Sequence, residues 1–227
     1  MSNILDYICD LLIALPAVVI ALGLHEAAHA FAAYKQGDMT AKNLGRLTVN
    51  PLSHLDPIGF ICLFLFHFGW AKPVPINPNN FKNQKRGTVI TALAGPLTNF
   101  LVAFVFCFIY IACCLFISAD TMIGTILLEM VAAVVSVNVS LGVFNFLPIP
   151  PLDGAKIFGG ILPKKLYFKI MEYENYIQIV ILILLFTGIL GYIITPIVSF
   201  IINILFNTAS FIFYWGGVGI SILISLF

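Results

Sequence analysis

The stretch Leu11-Leu-Ile-Ala-Leu-Pro-Ala-Val-Val-Ile-Ala-Leu-Gly-Leu-His25-Glu-Ala-Ala-His29-Ala-Phe-Ala-Ala33 decides how the chain folds. Crossing the hydrocarbon core of a bilayer takes about 20 apolar residues, and this run is long enough. Yet its last third carries His25, Glu26 and His29. A central charge in a transmembrane helix costs on the order of 2.5–3.5 kcal/mol and persists where something compensates it. The run lacks a basic leader and a small-residue cleavage site, which predicts a retained helix, not a signal peptide.

The remainder of the chain agrees. Its 227 residues are 61% hydrophobic and 9% charged, with a mean hydropathy of +1.06, whereas a soluble domain is roughly one-quarter charged. A soluble enzyme is excluded, and an all-α polytopic integral membrane protein is expected, as a single unit over residues 1–227. A net charge of +1 gives no bulk attraction to nucleic acid. Apolar runs at 7–33, 88–117, 122–147, 175–194 and 196–225 predict five transmembrane helices, or six if the last breaks at Asn207. The run 57–70 is too short to span and is expected to be re-entrant or interfacial. Residues 40–87 are rich in Asn, Pro and Gly, so an extended loop or small β region is expected between the first two full spans. Within it, 40–49 can pair as extended chain, and Lys72-Pro-Val-Pro-Ile-Asn-Pro78 cannot be helical.

Charge placement sets the orientation. All eleven Lys and Arg fall in three clusters: Lys35, Lys42 and Arg46; Lys72, Lys82, Lys85 and Arg86; and Lys156, Lys164, Lys165 and Lys169. By the positive-inside rule all three are cytoplasmic. The C-terminal third of the first helix and the end of the 122–147 span then arrive at the same side of the membrane.

His25-Glu26-Ala-Ala-His29 is an HExxH on a helix. Residues at i and i+4 share a face, so both imidazoles can grip one Zn²⁺, while Glu26 lies one step round, where a base for a water belongs. The bland alternative is a polar helix end lodged in the headgroups. A hydrolytic zinc site takes three protein ligands and leaves the fourth position to water. The position six residues after His29 is Lys35, and no Glu lies between Glu26 and Glu129. Asp120 and Glu129 fall toward the opposite side, Asp38 and Asp56 lie in the loop, and Glu172 and Glu174 begin a later helix, where acids suit the dipole. Asp153 remains, after Pro148, Pro150 and Pro151 and before Gly154. A simple turn or helix N-cap is its competing reading.

Other polar residues have ordinary readings alongside functional ones. Asn138, Gly142 and Asn145 share one helical stripe that faces the bundle interior. Interhelical hydrogen bonding accounts for Asn138, and donation to a developing oxyanion is the functional reading of Asn145. Asn99 is placed to bond the first helix or a substrate. His54 reads as a loop histidine satisfied by local backbone and His67 as a neutral imidazole among Phe residues. The five cysteines form no CxxC pair and read as small apolar side chains.

Three motifs occur in order: His25-Glu26-x-x-His29, Ala94-Gly-Pro-x-x-Asn99, and Asn145-Phe-Leu-Pro-Ile-Pro-Pro-Leu-Asp153-Gly154. Together they resemble the signature set of the site-2 protease family of intramembrane zinc metalloproteases. The resemblance implies one Zn²⁺ held by His25, His29 and Asp153, Glu26 activating the water, and Asn145 lying in the active site. Gly69-Trp-Ala-Lys-Pro-Val-Pro-Ile-Asn-Pro78 is similar to the extended loop near the active site of small prokaryotic members. The expected function is hydrolysis of peptide bonds in a transmembrane or membrane-associated protein substrate, in a prokaryotic cell membrane with the active site toward the cytoplasm. No PDZ-like insertion or regulatory domain is visible, so a minimal core is expected. The alternative is a membrane metal or ion transporter using the same His/Asp set; transporters often carry repeated halves, and no repeat is visible.

Overall fold

Ala17, Ala21, His25 and His29 recur every fourth residue, so a helix puts them on one face. In the computed structural model, which describes residues 4–66, 69–160 and 162–224, all four are buried on α1 (Ile4–Gln36). This face meets α4 (Gln84–Phe116) and α5 (Met122–Phe146), and the three helices pack against one another. Alanines at such a contact let membrane helices approach closely. That closeness brings two imidazoles on α1 within reach of side chains on its neighbours.

The core continues away from the histidines. Ala103 and Cys107 of α4, and Val135, Val139 and Val143 of α5, pack with Val198 and Ala209 of α9 (Ile189–Ile224). The opposite faces of these helices expose Leu12, Leu101, Ile123 and Phe200. Such side chains suit acyl chains, which are as apolar as leucine.

Among the described residues, four helices are long and apolar enough to cross a membrane: α1, α4, α5 and α9. The expectation of five or six is therefore reduced. Helix α8 (Glu174–Phe186) has 13 residues, a rise of about 20 Å, short of a hydrocarbon core of about 30 Å. The break also moves. It was expected before Pro196, but the chain turns at Gly188, whose φ of +74° is the left-handed geometry that ends helices and that glycine adopts without strain. Pro196 instead lies inside α9, where a membrane helix tolerates the missing hydrogen bond. Helix α9 also runs unbroken past Asn207.

The loop between α1 and α4 contains no strand among the described residues. Residues 40–49 were expected to be extended, but Thr40–Asn43 forms a one-turn helix, α2. A single bridge, Leu55 to Ala71, joins two parts of the loop. Within the short apolar run lies α3 (Pro57–Phe66), ten residues. His67 falls outside the described residues. Beyond α5 come α6 (Asp153–Gly159) and α7 (Lys164–Met171).

One buried acid fastens the loop to the end of α1. Asp38 accepts from Thr40 N (3.1 Å), the Thr40 hydroxyl, Asn77 N (2.7 Å) and Asn80 Nδ2 (2.8 Å). Burial alone raises the Asp38 carboxyl, but these donors outweigh it and hold the group below the usual carboxylate range. A folded-state pKa below the unfolded value gives a contribution that is complete above the unfolded pKa and lost as pH falls through the folded one. Asp38→Asn sets an amide donor against backbone donors, at a cost of about 1–3 kcal/mol for the buried group left unpaired. Hydrogen exchange at the Asn77 amide is expected to accelerate in Asp38→Asn at neutral pH, and in the wild type only in acid, after correction for intrinsic exchange. Equal protection in both proteins at neutral pH would show that Asp38 does not hold the segment.

Candidate metal centre

Helix α1 delivers His25 and His29 one turn apart, with ring centroids 4.6 Å from each other and rings nearly perpendicular. Asp153 arrives from the far end of α5. There Leu147–Leu152 leaves the helical path, α6 begins at Asp153, and the side chain of Leu152 at the N-cap makes no capping bond. The Asp153 carboxylate caps nothing and is buried against the histidines. Gly154 is required beside it, because a Cβ there would collide with the Leu147 carbonyl.

Three atoms converge. His25 Nε2 and His29 Nε2 are 3.0 Å apart, and Asp153 Oδ2 lies 3.1 Å and 3.0 Å from them. The other ring nitrogens are engaged elsewhere, His25 Nδ1 with Asn99 Oδ1 (2.5 Å) and His29 Nδ1 with the Thr91 carbonyl (2.7 Å). Both of those partners accept, so each Nδ1 carries the proton and each neutral imidazole turns an Nε2 lone pair inward. Two lone pairs facing a carboxylate oxygen at 3 Å repel one another unless a cation lies among them. The donor set fits zinc. Two imidazoles and a carboxylate are a hydrolytic zinc combination, and tetrahedral bonds of 2.0–2.2 Å set ligand atoms roughly 3.3–3.6 Å apart, a few tenths wider than seen here. Asp153 Oδ1 lies 3.7 Å from Lys156 Nζ, leaving Oδ2 to the centre.

Helix α4 closes the site from the other side. A Cβ at Gly95 would lie 2.5 Å from His29 Nε2 and 2.6 Å from His25 Nε2, so glycine alone leaves both imidazoles their room.

Glu26 is offset from the pair, as the spacing predicts, and its Oε2 accepts from Val74 N at 2.8 Å. A cavity of about 980 Å³ joins these groups, with walls that include Glu26, Val74, Thr91, Ser140, Asn145 and Asp153. The extended stretch around Val74 forms one wall, as expected for the loop. Asn145 also lines the cavity, but its amide donates to Leu141 O at 3.0 Å along its own helix, and its second amide hydrogen is left for another acceptor. Asn138 bonds between helices, as its ordinary reading predicts: its Oδ1 accepts from Asn99 Nδ2 at 3.0 Å. Asn99 bonds the first helix through His25 and Ala21 O. His54 is fully buried and satisfied by the Thr48 carbonyl (2.9 Å), away from the centre. Sequence reasoning missed Gly95 and Thr91; the AGPxxN motif that holds Gly95 was the available signal.

Among the described residues, His25, His29 and Asp153 form the group able to hold a metal ion. Comparison with known proteins agrees. The model of peptidase family M50 matches residues 111–185. YwhC of Bacillus subtilis, provisionally named a zinc metalloprotease, is 37% identical over 183 residues, covering 80% of this chain and 84% of the relative. Rip2 of Mycolicibacterium smegmatis, with the same provisional name, is 26% identical over 169 residues, 70% of this chain and 60% of that one. The similarly named MJ0611 of Methanocaldococcus jannaschii is 35% identical over 102 residues, 44% of this chain and 48% of the relative. No solved structure matches the chain. A relative so similar over most of both lengths, and a membrane-helix bundle that brings HExxH to a distant Asp-Gly, make this chain a member of peptidase family M50, the site-2 protease family of zinc metalloproteases.

Proposed function

We propose that this metalloprotease, one unit over residues 1–227, hydrolyses peptide bonds of transmembrane or membrane-associated proteins near the cytoplasmic face of a prokaryotic cell membrane. His25, His29 and Asp153 hold the metal, Glu26 is the general base, and Asn145 stabilises charge on the substrate carbonyl. The observation that carries this reading is the convergence of three metal-ligating atoms at 3.0–3.1 Å on the edge of a cavity also walled by Glu26. The three basic clusters support the orientation.

Bound at this centre, zinc supplies Lewis acidity and brings the pKa of a water toward about 7. Glu26 takes the proton of the attacking water as its oxygen bonds to the carbonyl carbon. It then passes that proton to the amine nitrogen as the C–N bond breaks. The free amide hydrogen of Asn145 donates to the carbonyl oxygen as that atom gains charge. A substrate helix must unwind before cleavage, because its backbone is already paired within itself. In the extended 72–78 segment the N–H groups of Lys72, Val74 and Asn77 are already bonded and 73, 75 and 78 are prolines, so an unwound stretch pairs there through the Ile76 N–H and the backbone carbonyls.

The test is cleavage of a single-span peptide by purified protein in liposomes, with mass spectrometry of the products. Cuts within or at the cytoplasmic border of the span are expected, lost on chelation and restored by zinc. Cuts confined to soluble tails would overturn the substrate assignment. Val74→Pro removes the N–H that holds Glu26, a bond to a charged group, and should slow cleavage roughly 10–100-fold. If Val74→Pro, Ile76→Pro and deletion of 72–78 all leave cleavage unchanged, the pairing edge is wrong.

A further inference from the structure

An amide side chain has nearly the same shape whichever way it faces, yet the two faces have opposite consequences beside a histidine. Were Asn99 to turn its NH₂ toward His25, Nδ1 would accept and Nε2 would carry the proton, pointing it at His29 and Asp153. An Nε2 with a proton cannot ligate. What fixes the direction lies beyond Asn99. Its Nδ2 is 3.3 Å from the Ala21 carbonyl and 3.0 Å from Asn138 Oδ1. The Ala21 carbonyl can only accept, so the Asn99 group that faces it must donate. Asn138 is fixed in the same way, with its Nδ2 2.8 Å from the Val134 carbonyl, and its oxygen is thereby turned toward Asn99. Two backbone carbonyls, on α1 and on α5, set every donor and acceptor in the chain from Val134 to His25. Asn99 and Asn138 are 1% and 0% exposed, so bulk water does not compete. The Nδ1 of His29 is held by the Thr91 backbone carbonyl, which no side-chain substitution removes.

We propose that Asn99 and Asn138 are positioning residues that act in series: Asn138 orients Asn99, and Asn99 fixes the tautomer and ring angle of His25, which sets how tightly the centre binds its metal. This rests on the reading of His25 as a ligand. Interhelical packing alone predicts something different, since two packing asparagines would contribute independently and neither would select a tautomer.

The test reads zinc affinity by chelator competition on the full-length protein in detergent, with no activity assay. Partners that orient a metal-ligating imidazole are worth 10–100-fold in affinity. Asn99→Leu, which removes the acceptor and admits no water in its place, should weaken zinc binding by that factor. Asn138→Leu should weaken it less, because the Ala21 carbonyl still constrains Asn99. The double variant should bind zinc as Asn99→Leu does, since Asn138 acts only through Asn99. Unchanged affinity in Asn99→Leu, or single effects that multiply in the double variant, would overturn the series arrangement. Should the leucine variants fail to fold, ¹⁵N spectra of metal-free wild-type protein with labelled histidine still decide. Protonated Nδ1 on His25 is expected, and protonated Nε2 overturns the proposal. His25→Ala separates the two levels: retained zinc affinity there removes the ligand reading and the relay together. Loss of affinity in His25→Ala with none in Asn99→Leu removes the relay only.

Discussion

Glu26→Gln is expected to abolish peptide hydrolysis while the protein keeps one zinc per chain. The substitution is nearly isosteric, and the glutamine carbonyl can still accept from Val74 N, which bonds the Glu26 carboxylate at 2.8 Å. The wall of the cavity therefore stays in place. His25, His29 and Asp153 meet one another without Glu26, so the centre is untouched as well. What is lost is a group able to take a proton from water and return it to the leaving amine. General acid–base catalysis contributes typically 10²–10⁴-fold, and a loss of at least that size is expected in the cleavage rate of a membrane peptide. Metal analysis of the same preparation provides the second reading. Cleavage within a few-fold of wild type would remove Glu26 from the chemistry, and loss of zinc would make it a ligand instead.

Gly95→Ala should strip the centre of metal through one methyl group. In a helix interior alanine is favoured over glycine by about 1 kcal/mol, so on propensity alone the change stabilises α4. The Cβ, however, would stand 2.5 Å from His29 Nε2 and 2.6 Å from both His25 Nε2 and Cε1. Neither ring can retreat without breaking its Nδ1 bond to Asn99 or to Thr91. Overpacking of this kind costs about 1–3 kcal/mol, or about 5- to 150-fold in affinity. Zinc affinity is expected to fall by up to that factor as the rings are displaced, with cleavage falling alongside it, while the metal-free protein still folds. Gly191→Ala is the control: nothing lies within 4 Å of its Cβ, and zinc binding should not change. Wild-type affinity in Gly95→Ala would mean that α4 does not confine the imidazoles.

The transporter alternative is set aside by family membership. What the sequence disclosed about the site followed from local rules. Four-residue spacing on a helix puts His25 and His29 on one face whatever the tertiary structure. The prolines before Asp153 end α5 whatever packs nearby. Partners across helices were hidden, because nothing in the sequence of α1 states that Gly95 will press on it or that Asn99 will reach the imidazole. Asp38 was placed in the loop without sign of its four bonds, since these come from residues up to 42 positions away. Span boundaries failed for a different reason. From 175 to 225 the chain carries no charged residue to mark a boundary, and the break placed between 194 and 196 lies instead at the left-handed turn of Gly188. The one-turn α2 in place of an extended strand reflects the bond from Thr40 N to Asp38, which nucleates a turn.

Both imidazoles ride on α1, but each is steered by α4, through Asn99 for one and the Thr91 carbonyl for the other. The coordination chemistry is thus divided between a helix that supplies the rings and a helix that aims them. Slippage of one rod along the other by a single residue, about 1.5 Å, would leave every amino acid intact and still detune the centre. The small side chains buried between these rods, Ala17 and Ala21 among them, thereby belong to the geometry of the centre although they supply no ligand atom.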